Sequence, residues 1–502
     1  MCRRLAVSAC LLGLLCRSRA ALADEPSAPT PAELDTAGEV GPRIPPSYLS
    51  TALEELAFLG VQTAWYWGHD WNSGHEKFVW SNWRTRFTDV HDIVLDDDRF
   101  RTGAVGHPVA GTGYYLIARG NGFGVAGSAA ITVVASTIWQ FFSEWNEKPA
   151  SNDLLVTPAA GWVIGEASHQ LGMYFLDQEP GVVNCVGAAL FSPVATINDA
   201  RACRFGRHGR SGGRRWHRID LDVGTQQTVF DSGDMLTEAR AGATVLLTTN
   251  SKYQRPGTGR RLAGPGEWTA LATDWTAGQG AVQSVVFHAD SIALGDYWRR
   301  YDDLSGAGAP DGWGRLLAVG GSFDYASRVL PALLTDRIMS VGLIGPMFEL
   351  AGAWETLELR ARAAVYYGFA QVTSLAYPRV ADALQNQFIR TTLRGSGYYY
   401  AQALLPSAEV EVRRGPLWLK LMGRAGEYWS LNSGDTNQSR ITDHFSLHDA
   451  RLFTAASLGV QPGPGPLRVA LELASAWRDG ALLGQRETTH EQTVGASLSL
   501  GL

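Results

Sequence analysis

The sequence predicts a transmembrane antiparallel β-barrel of about 12 strands, within a range of about 10–14, preceded by a small helical domain. Three observations carry that reading. From about residue 213 to 502, runs of roughly 9–16 residues alternate apolar and polar side chains, long enough to cross a bilayer when tilted. Tight connections alternate with long polar ones: Trp354-Glu355, Arg414-Gly415 and Pro462 to Pro466 against 372–394, 431–444 and 479–488. The chain also ends inside an amphipathic strand. Gln492, Val494, Ala496, Leu498, Leu500 and Leu502 form one face; Thr493, Gly495, Ser497, Ser499 and Gly501 form the other.

The elements follow in order. Residues 1–23 read as an export signal: Arg3 and Arg4, a short apolar core from Leu5 to Cys16, then Ala21-Leu22-Ala23 before Asp24. Residues 24–46 are a Pro- and Ala-rich linker. Residues 47–180 are the helical domain, expected in the periplasm. Ser47 is placed to cap a helix reaching Trp67, with Leu49, Leu53, Leu56 and Gly60 at helical spacing. Residues 68–106 read as mostly irregular, and 107–178 as three helical stretches. The charge-free stretch 120–143 is broken by Gly120, Gly122, Gly124 and Gly127 and is rich in Ala, Ser and Thr. That composition favours close packing in the interior over a membrane span. Gly161-x-x-x-Gly165 likewise favours close helix packing.

Residues 181–212 are read as a loop. After signal removal two cysteines remain, Cys185 and Cys203, and in an oxidising compartment such a pair forms a disulfide. His208 and His217 follow, but no Cys-x-x-Cys pair supports a structural zinc site. The barrel occupies 213–502. Strands are expected to start near 216, 235, 267, 282, 314, 338, 356, 396, 416, 447, 467 and 489. Tyr398 to Tyr400, Tyr428, Trp429 and Trp477 lie near strand ends, as interfacial aromatic girdles do.

Charge narrows the function. Residues 1–23 hold four arginines, so their removal leaves 39 basic against 49 acidic side chains, a net charge near −10. A generic nucleic-acid binder is basic, so nucleic acid is excluded as a partner. On single strands the charges of the polar face have both signs: Glu358 with Arg360 and Arg362, and Arg468 with Glu472. A wide selective pore shows rings of one sign, so a narrow or filled lumen is expected.

Candidate chemistry lies in the helical domain. His107, Glu144 and Asp153 are the polar groups able to act as acid, base or ligand, with Arg119 and Glu166 nearby in sequence. Structural roles compete for each. His107 fits a buried, hydrogen-bonded helix start. Arg119 with Glu144 fits an ion pair, and Asp153 fits an N-cap. Asp153 and Glu166 are 13 residues apart, about 220° around an ideal helix, so they cannot share one centre unless the helix breaks. Glu166-x-x-His169 is a lone Glu-x-x-His, where a di-iron bundle needs two. Gly209-x-Ser211-x-Gly213 lacks the strand-turn-helix frame of a nucleophile elbow. No metal site and no cofactor are indicated.

The segment resembles a known family. His107-Pro-x-x-Gly111-x-x-Tyr114-x-x-x-Ala118-Arg119-x-Asn121-Gly122, then Trp139-x-Phe141-Phe142-x-Glu144, Pro149-x-x-Asn152-Asp153-Leu154 and Gly165-Glu166 look like the domain-of-unknown-function 3943 family of uncharacterised exported bacterial proteins. The match covers about residues 105–170. It implies an exported envelope protein with a β-rich C-terminal half, and no activity. This chain has Trp139-Gln140 where the family often has Trp-Glu, and Pro149-Ala150 where it often has Pro-Ser. The family-motif polar residues are His107, Tyr114, Arg119, Asn121, Glu144, Asn152, Asp153 and Glu166.

The combined expectation is a Gram-negative outer-membrane barrel without enzymatic activity. Its helices dock at the periplasmic mouth or plug the lumen. Its partners are outer-membrane lipid, the barrel-assembly machinery and an unidentified small-molecule or lipid ligand. Two alternatives stand beside it: a membrane-associated hydrolase or lipid-modifying enzyme using His107, Glu144 and Asp153, and a soluble periplasmic β-sandwich protein.

Overall fold

The computed structural model describes residues 45–70, 84, 86–88, 93, 95, 98–144, 148–202, 216–250, 252–302, 311–331, 335–385, 392–393, 397–431, 447–463 and 465–501. The expected signal peptide, nearly all of the linker, Cys203, the basic run Arg207 to Arg215 and Leu502 lie outside the described residues. The disulfide expectation therefore lies there too.

Thirteen strands are described: β1 (Trp216–Phe230), β2 (Met235–Thr248), β3 (Gly257–Ala263), β4 (Trp268–Gly278), β5 (Ala281–Tyr301), β6 (Gly312–Arg328), β7 (Asp336–Trp354), β8 (Leu357–Thr373), β9 (Tyr398–Arg414), β10 (Leu417–Ser430), β11 (Leu447–Val460), β12 (Leu467–Leu482) and β13 (Gln485–Gly501). All but β3 form a closed antiparallel ring of 12, in which β1 pairs with β13. The strand β3 is an extra piece that covers the projecting end of β5, from Gly257↔Tyr301 to Ala263↔Gly295. The closed ring corrects the β-sandwich alternative, because the described strands form one closed sheet and no second sheet faces it among the described residues.

The period-two pattern sorts into an inner and an outer face. Leu221, Val223, Leu471, Leu473, Val494 and Leu498 are exposed on the outer face, whereas Ser497 and Ser499 between them are buried. A hydrogen-bond row leaving β1 at Ile219 passes Val245, Leu271, Ala289, Phe323, Val341, Phe369 and Gln402. It continues through Trp429, His448 and Ala481 to Arg486, and so arrives beyond the last pair between β1 and β13, Phe230↔Glu491. Such a stagger goes with strands tilted about 35–45°.

Both termini of the sheet lie at one end, the near end, with the tight turns after β7 and β9. The long connections after β8 and β10 lie at the far end. One expected long loop is instead tight. Residues 479–488 form a hairpin around Leu483 and Gly484, at φ +51° and +78°, as a two-residue hairpin turn requires. The polar residues around it continue the two strands and do not mark a loop.

The lumen is narrowed by charged side chains of its own wall and, at the far end, by an inward-turning connection. Ion pairs join strands that are not neighbours in the ring: Arg218 Nη1–Glu411 at 2.8 Å, Arg328 Nη1–Glu238 at 2.5 Å, Arg328 Nε–Glu491 at 2.9 Å and Arg240 with Glu472. At the near end Tyr253 and Trp268 converge on Glu349; the Trp268 Nε1 donates at 2.8 Å. At the far end the β8–β9 connection, with helix Tyr377–Gln385, turns inward. Ala376, Val380 and Leu393 pack against Ile338, Tyr399, Leu447 and Leu482. Asp449 holds this connection by accepting from the Leu375 backbone at 3.3 Å, Tyr399 at 2.8 Å and Arg478 at 2.6 Å.

The helical segment comprises α1 (Tyr48–Asp70), α2 (His107–Gly120), α3 (Val125–Ile138), α4 (Ser151–Asp177), α5 (Val182–Phe191) and α6 (Pro193–Arg201). Wider π-helical turns precede α2 at Thr102–Gly106 and follow α3 at Trp139–Ser143. The Ser47 carbonyl accepts from Thr51 N at 3.0 Å as α1 begins, and Gly122 at φ +92° closes the turn after α2. The start of α1 meets the end of α2 (Ser47 N to Asn121 O, 3.0 Å), and its end meets the end of α3 (Trp67 Nε1 to Ser143 O, 3.0 Å). The four long helices therefore run up, down, up and down. The segment expected as a loop carries α5 and α6, with Pro193 at the first turn of α6.

This bundle lies against the outside of the barrel. Helix α4 packs on β2, β4, β5, β6 and β7, which are consecutive in the ring. Val156, Ala160 and Val163 meet Ala289, Phe323, Met339, Val341 and Phe369, while Leu171 meets Ile219, Val245 and Leu247. All of those strand residues point away from the lumen. The expected lumen plug is thus corrected: the inward positions carry charge and already pair with one another, and α4 needs an apolar partner. The aromatic girdle is corrected in part. Trp429 is exposed on the outer face, but Tyr398 and Tyr400 lie beneath the helices, and Tyr399 and Tyr428 face the lumen.

Candidate functional site

Two polar clusters are buried where α2, α3 and α4 cross. The crossing is close because glycines face it. A Cβ on Gly111 would stand 1.9 Å from the Thr157 carbonyl oxygen, and one on Gly161 would stand 2.6 Å from the Gly111 carbonyl oxygen. Gly165 gives the same clearance to Tyr115. The expectation of close packing from Gly161 and Gly165 holds here.

The first cluster gathers His107, Glu144 and Asp153 around a residue that sequence reasoning treated only as a departure, Gln140. The His107 Nε2 is 3.3 Å from Asp153 Oδ2. The Gln140 amide nitrogen donates to Asp153 Oδ2 at 3.1 Å and to Glu144 Oε2 at 2.7 Å, and its oxygen accepts from Ala150 N at 2.8 Å. Asn152 donates to Asp153 Oδ1 at 2.8 Å and approaches the Tyr400 hydroxyl at 3.3 Å, tying the cluster to the barrel wall. Arg86 donates to the carbonyl oxygens of Gln140, Phe141 and Glu144 at 3.3, 3.4 and 2.5 Å. The three candidate residues therefore converge. Asp153 does not cap α4, since Ala150 stands at that position, but it lies in the first helical turn, where a carboxylate is favoured.

The second cluster centres on Glu166. Arg119 donates to it twice, from Nε at 2.8 Å and from Nη2 at 3.1 Å. Tyr115 donates at 2.8 Å and Gln170 at 2.5 Å. The expected pairing of Arg119 with Glu144 is corrected: along α4 the row that faces Arg119 carries Glu166, while Glu144 belongs to the opposite end of the bundle. Asp153 and Glu166 fall in separate clusters, as their helical angle requires. The turn before β4 closes over Glu166, for a Cβ on Gly266 would stand 2.4 Å from Glu166 Oε1.

Two family-motif residues do structural work. The Tyr114 hydroxyl donates to Gln62 at 2.5 Å. Asn121 donates to Glu54 at 2.7 Å and to Ile117 O at 3.0 Å, and its oxygen accepts from Asn198 at 3.2 Å, so it joins α1, α2 and α6. Sequence reasoning missed Gln140, Arg86, Tyr115 and Gln170 as cluster members. Only Gln140 had a signal, its place in the quoted motif. It also missed Glu55, a buried carboxylate on α1 with no hydrogen-bond partner among the described residues.

Among the described residues no cluster of three or more His, Cys, Asp or Glu has the form of a metal site. In the first cluster an amide stands between the two carboxylates and supplies the donor a cation would otherwise replace. His107 Nε2 lies 3.3 Å from Asp153 Oδ2 without making a hydrogen bond, and Glu166 with its four donors is saturated. A separate cavity of about 380 Å³ lies in the barrel lumen, lined by side chains of both charges, among them Arg424, Arg451, Asp324 and Glu472.

Residues 92–194 match the model of a family described as domain of unknown function (DUF3943). No curated protein matches the chain. Among solved structures, the chain is similar to the translocator domain of the autotransporter NalP from Neisseria meningitidis, at 10% identity over 57% of this chain and 88% of that one, with a TM-score of 0.21. It is similar to the NanC porin at 12% identity over 55% and 98%, with a TM-score of 0.23. It is also similar to an anion-selective porin from Comamonas acidovorans, at 8% identity over 58% and 100%, with a TM-score of 0.19. The closed strand pairing establishes the barrel independently of these likenesses.

Proposed function

We propose that the protein is an integral outer-membrane barrel whose lumen is sealed, so that it acts as an anchored ligand-binding or structural scaffold and not as a diffusion pore. The carrying observation is the set of ion pairs that cross the lumen between non-neighbouring strands, Arg218–Glu411 and Arg328–Glu238 foremost. The exposed apolar outer face supports placement in lipid, where a closed barrel leaves no backbone group unpaired. Enrichment in outer-membrane fractions with heat-modifiable migration is expected. Purified protein in planar bilayers is expected to show no stepwise conductance. Regular porin-like steps from the unmodified protein would sink the sealed-lumen reading.

A second reading has one specific observation behind it, the convergence of His107, Asp153 and Glu144 on Gln140. It is a lipid-modifying or hydrolytic activity with the His107–Asp153 pair moving a proton. Incubation of the protein with total envelope lipid, followed by mass spectrometry, tests it. Under this reading a product appears with the unmodified protein and is lost with His107→Gln and Asp153→Asn, while heat-modifiable migration stays unchanged. A product that persists in both variants rules the pair out as its source.

A further inference from the structure

We infer that helices α1 to α4 form a membrane-embedded bundle, held against the outside of the barrel and in contact with lipid on its far side. The inference rests on the barrel itself lying in a membrane. Its first support is an inverted pattern of burial. Along α1 the exposed positions are apolar, Leu49, Leu53, Leu56, Val61 and Trp65, with Leu53 59% exposed. The buried face of the same helix carries Thr51 and Glu55 beside Leu59. Along α3 the exposed positions include Val133 and Val134, and the buried ones are Ser128, Thr132, Ala135 and Ser136. A helix packed in water places these groups the other way round. The expectation that the charge-free stretch 120–143 fills an interior is therefore corrected: its polar stripe faces the bundle and its apolar stripe faces out.

Length and position agree. The continuous helical run Val125–Ser143 has 19 residues, α1 has 23 and α4 has 27, each long enough to cross a hydrocarbon layer of about 30 Å. Helix α4 follows the row from Ile219 to Phe369 and Tyr400, and so runs the height of the barrel wall from the near end to the far end. The bundle is therefore level with the apolar outer face of β12 and β13, and its exposed stripe continues that face around the molecule. Most polar side chains inside the bundle pair with one another, Arg119 with Glu166 and Asn121 with Glu54 among them, as ionisable groups at membrane depth do, and Glu55 is the buried carboxylate without a hydrogen-bond partner among the described residues. With one polar face per helix, the segment also avoids the strongly apolar spans that arrest in the inner membrane.

The test uses the full-length protein with all five cysteines, Cys2, Cys10, Cys16, Cys185 and Cys203, replaced by alanine and reconstituted in phosphatidylcholine vesicles. Single cysteines at Leu53→Cys, Val134→Cys, Leu471→Cys and Arg379→Cys carry a fluorescent label, and quenching is compared between brominated and ordinary lipid. These side chains are exposed or largely so, and heat-modifiable migration together with protease protection of the helical segment checks that barrel and bundle fold in each variant. Positions 53 and 134 are expected to be quenched by brominated lipid as strongly as position 471, with position 379 unaffected. Quenching at 471 alone overturns the inference and leaves the barrel in its membrane. No quenching at 471 overturns the membrane reading as well. Positions 53 and 134 shielded from both lipid and a water-soluble quencher, with cross-links between copies, would show a second copy of the chain there and would also overturn it.

Discussion

Glu166→Ala is expected to cost the helical segment about 3–5 kcal/mol, because it leaves the Arg119 guanidinium buried without its counter-charge. Glu166 is fully buried and accepts from Arg119, Tyr115 and Gln170. Removing it strands all three donors. The pair itself contributes less than this cost, since two charges have been taken out of solvent to make it. The double variant Arg119→Leu with Glu166→Leu is accordingly expected to recover most of the loss. Protease protection of the helical segment against urea measures the effect, and heat-modifiable migration of the barrel serves as the internal reference. A single-variant loss below about 1 kcal/mol would contradict the assignment of this pair as the centre of the bundle.

The same variant separates the two halves of the molecule. The barrel closes through backbone pairing from β1 to β13, and its lumen is held by its own ion pairs. Loss of the bundle is therefore expected to leave a closed barrel. Where Glu166→Ala abolishes heat-modifiable migration too, the bundle is required for barrel assembly.

Much of this architecture was legible because period-two alternation is a strong signal where one face meets an apolar surrounding. The expected strand starts near 216, 235, 267, 282, 447 and 467 fall within a residue of Trp216, Met235, Trp268, Ala281, Leu447 and Leu467. The starts near 396 and 416 fall within two residues of Tyr398 and Leu417. The hairpin at Leu483-Gly484 was hidden because Arg486, Glu487 and Glu491 made polar strand residues look like a loop. Its signal was one glycine.

The helical segment was harder to read. Its helices and glycine contacts followed from spacing, but its place followed from nothing local. Ile219, Val245, Ala289 and Phe369 look like any other outward residues of their strands, and only the tilted row that aligns them shows the seat of α4. The candidate site was partly legible for the same reason. His107 and Asp153 were named from residue type, but Gln140 joins them across the α3–α4 crossing, which no spacing within one helix encodes. Opposite charge alone lets Arg119 pair with Glu144, whereas helix direction brings it to Glu166.

Gly111→Val is expected to be the most damaging single glycine substitution in the helical segment. The added Cβ would lie 1.9 Å from the Thr157 carbonyl oxygen, and the backbone of Gly111 is itself the neighbour of Gly161. Both contacts are with backbone, so no side chain can rotate away and α2 must move off α4. Overpacking in a core typically costs about 1–3 kcal/mol and occasionally more. Here the same displacement pulls His107 from Asp153 and Arg119 from Glu166, which lie on either side of the contact along α2. The expected loss is therefore above about 3 kcal/mol, with the buried charges of Arg119 and Glu166 adding to the steric term. Gly60→Ala on α1 is the control, since nothing lies within 4 Å of its Cβ, and it is expected to stabilise α1 by about 0.5–1 kcal/mol. Both are measured by the urea dependence of protease protection. Equal protection in the two variants would mean that α2 and α4 do not make this crossing.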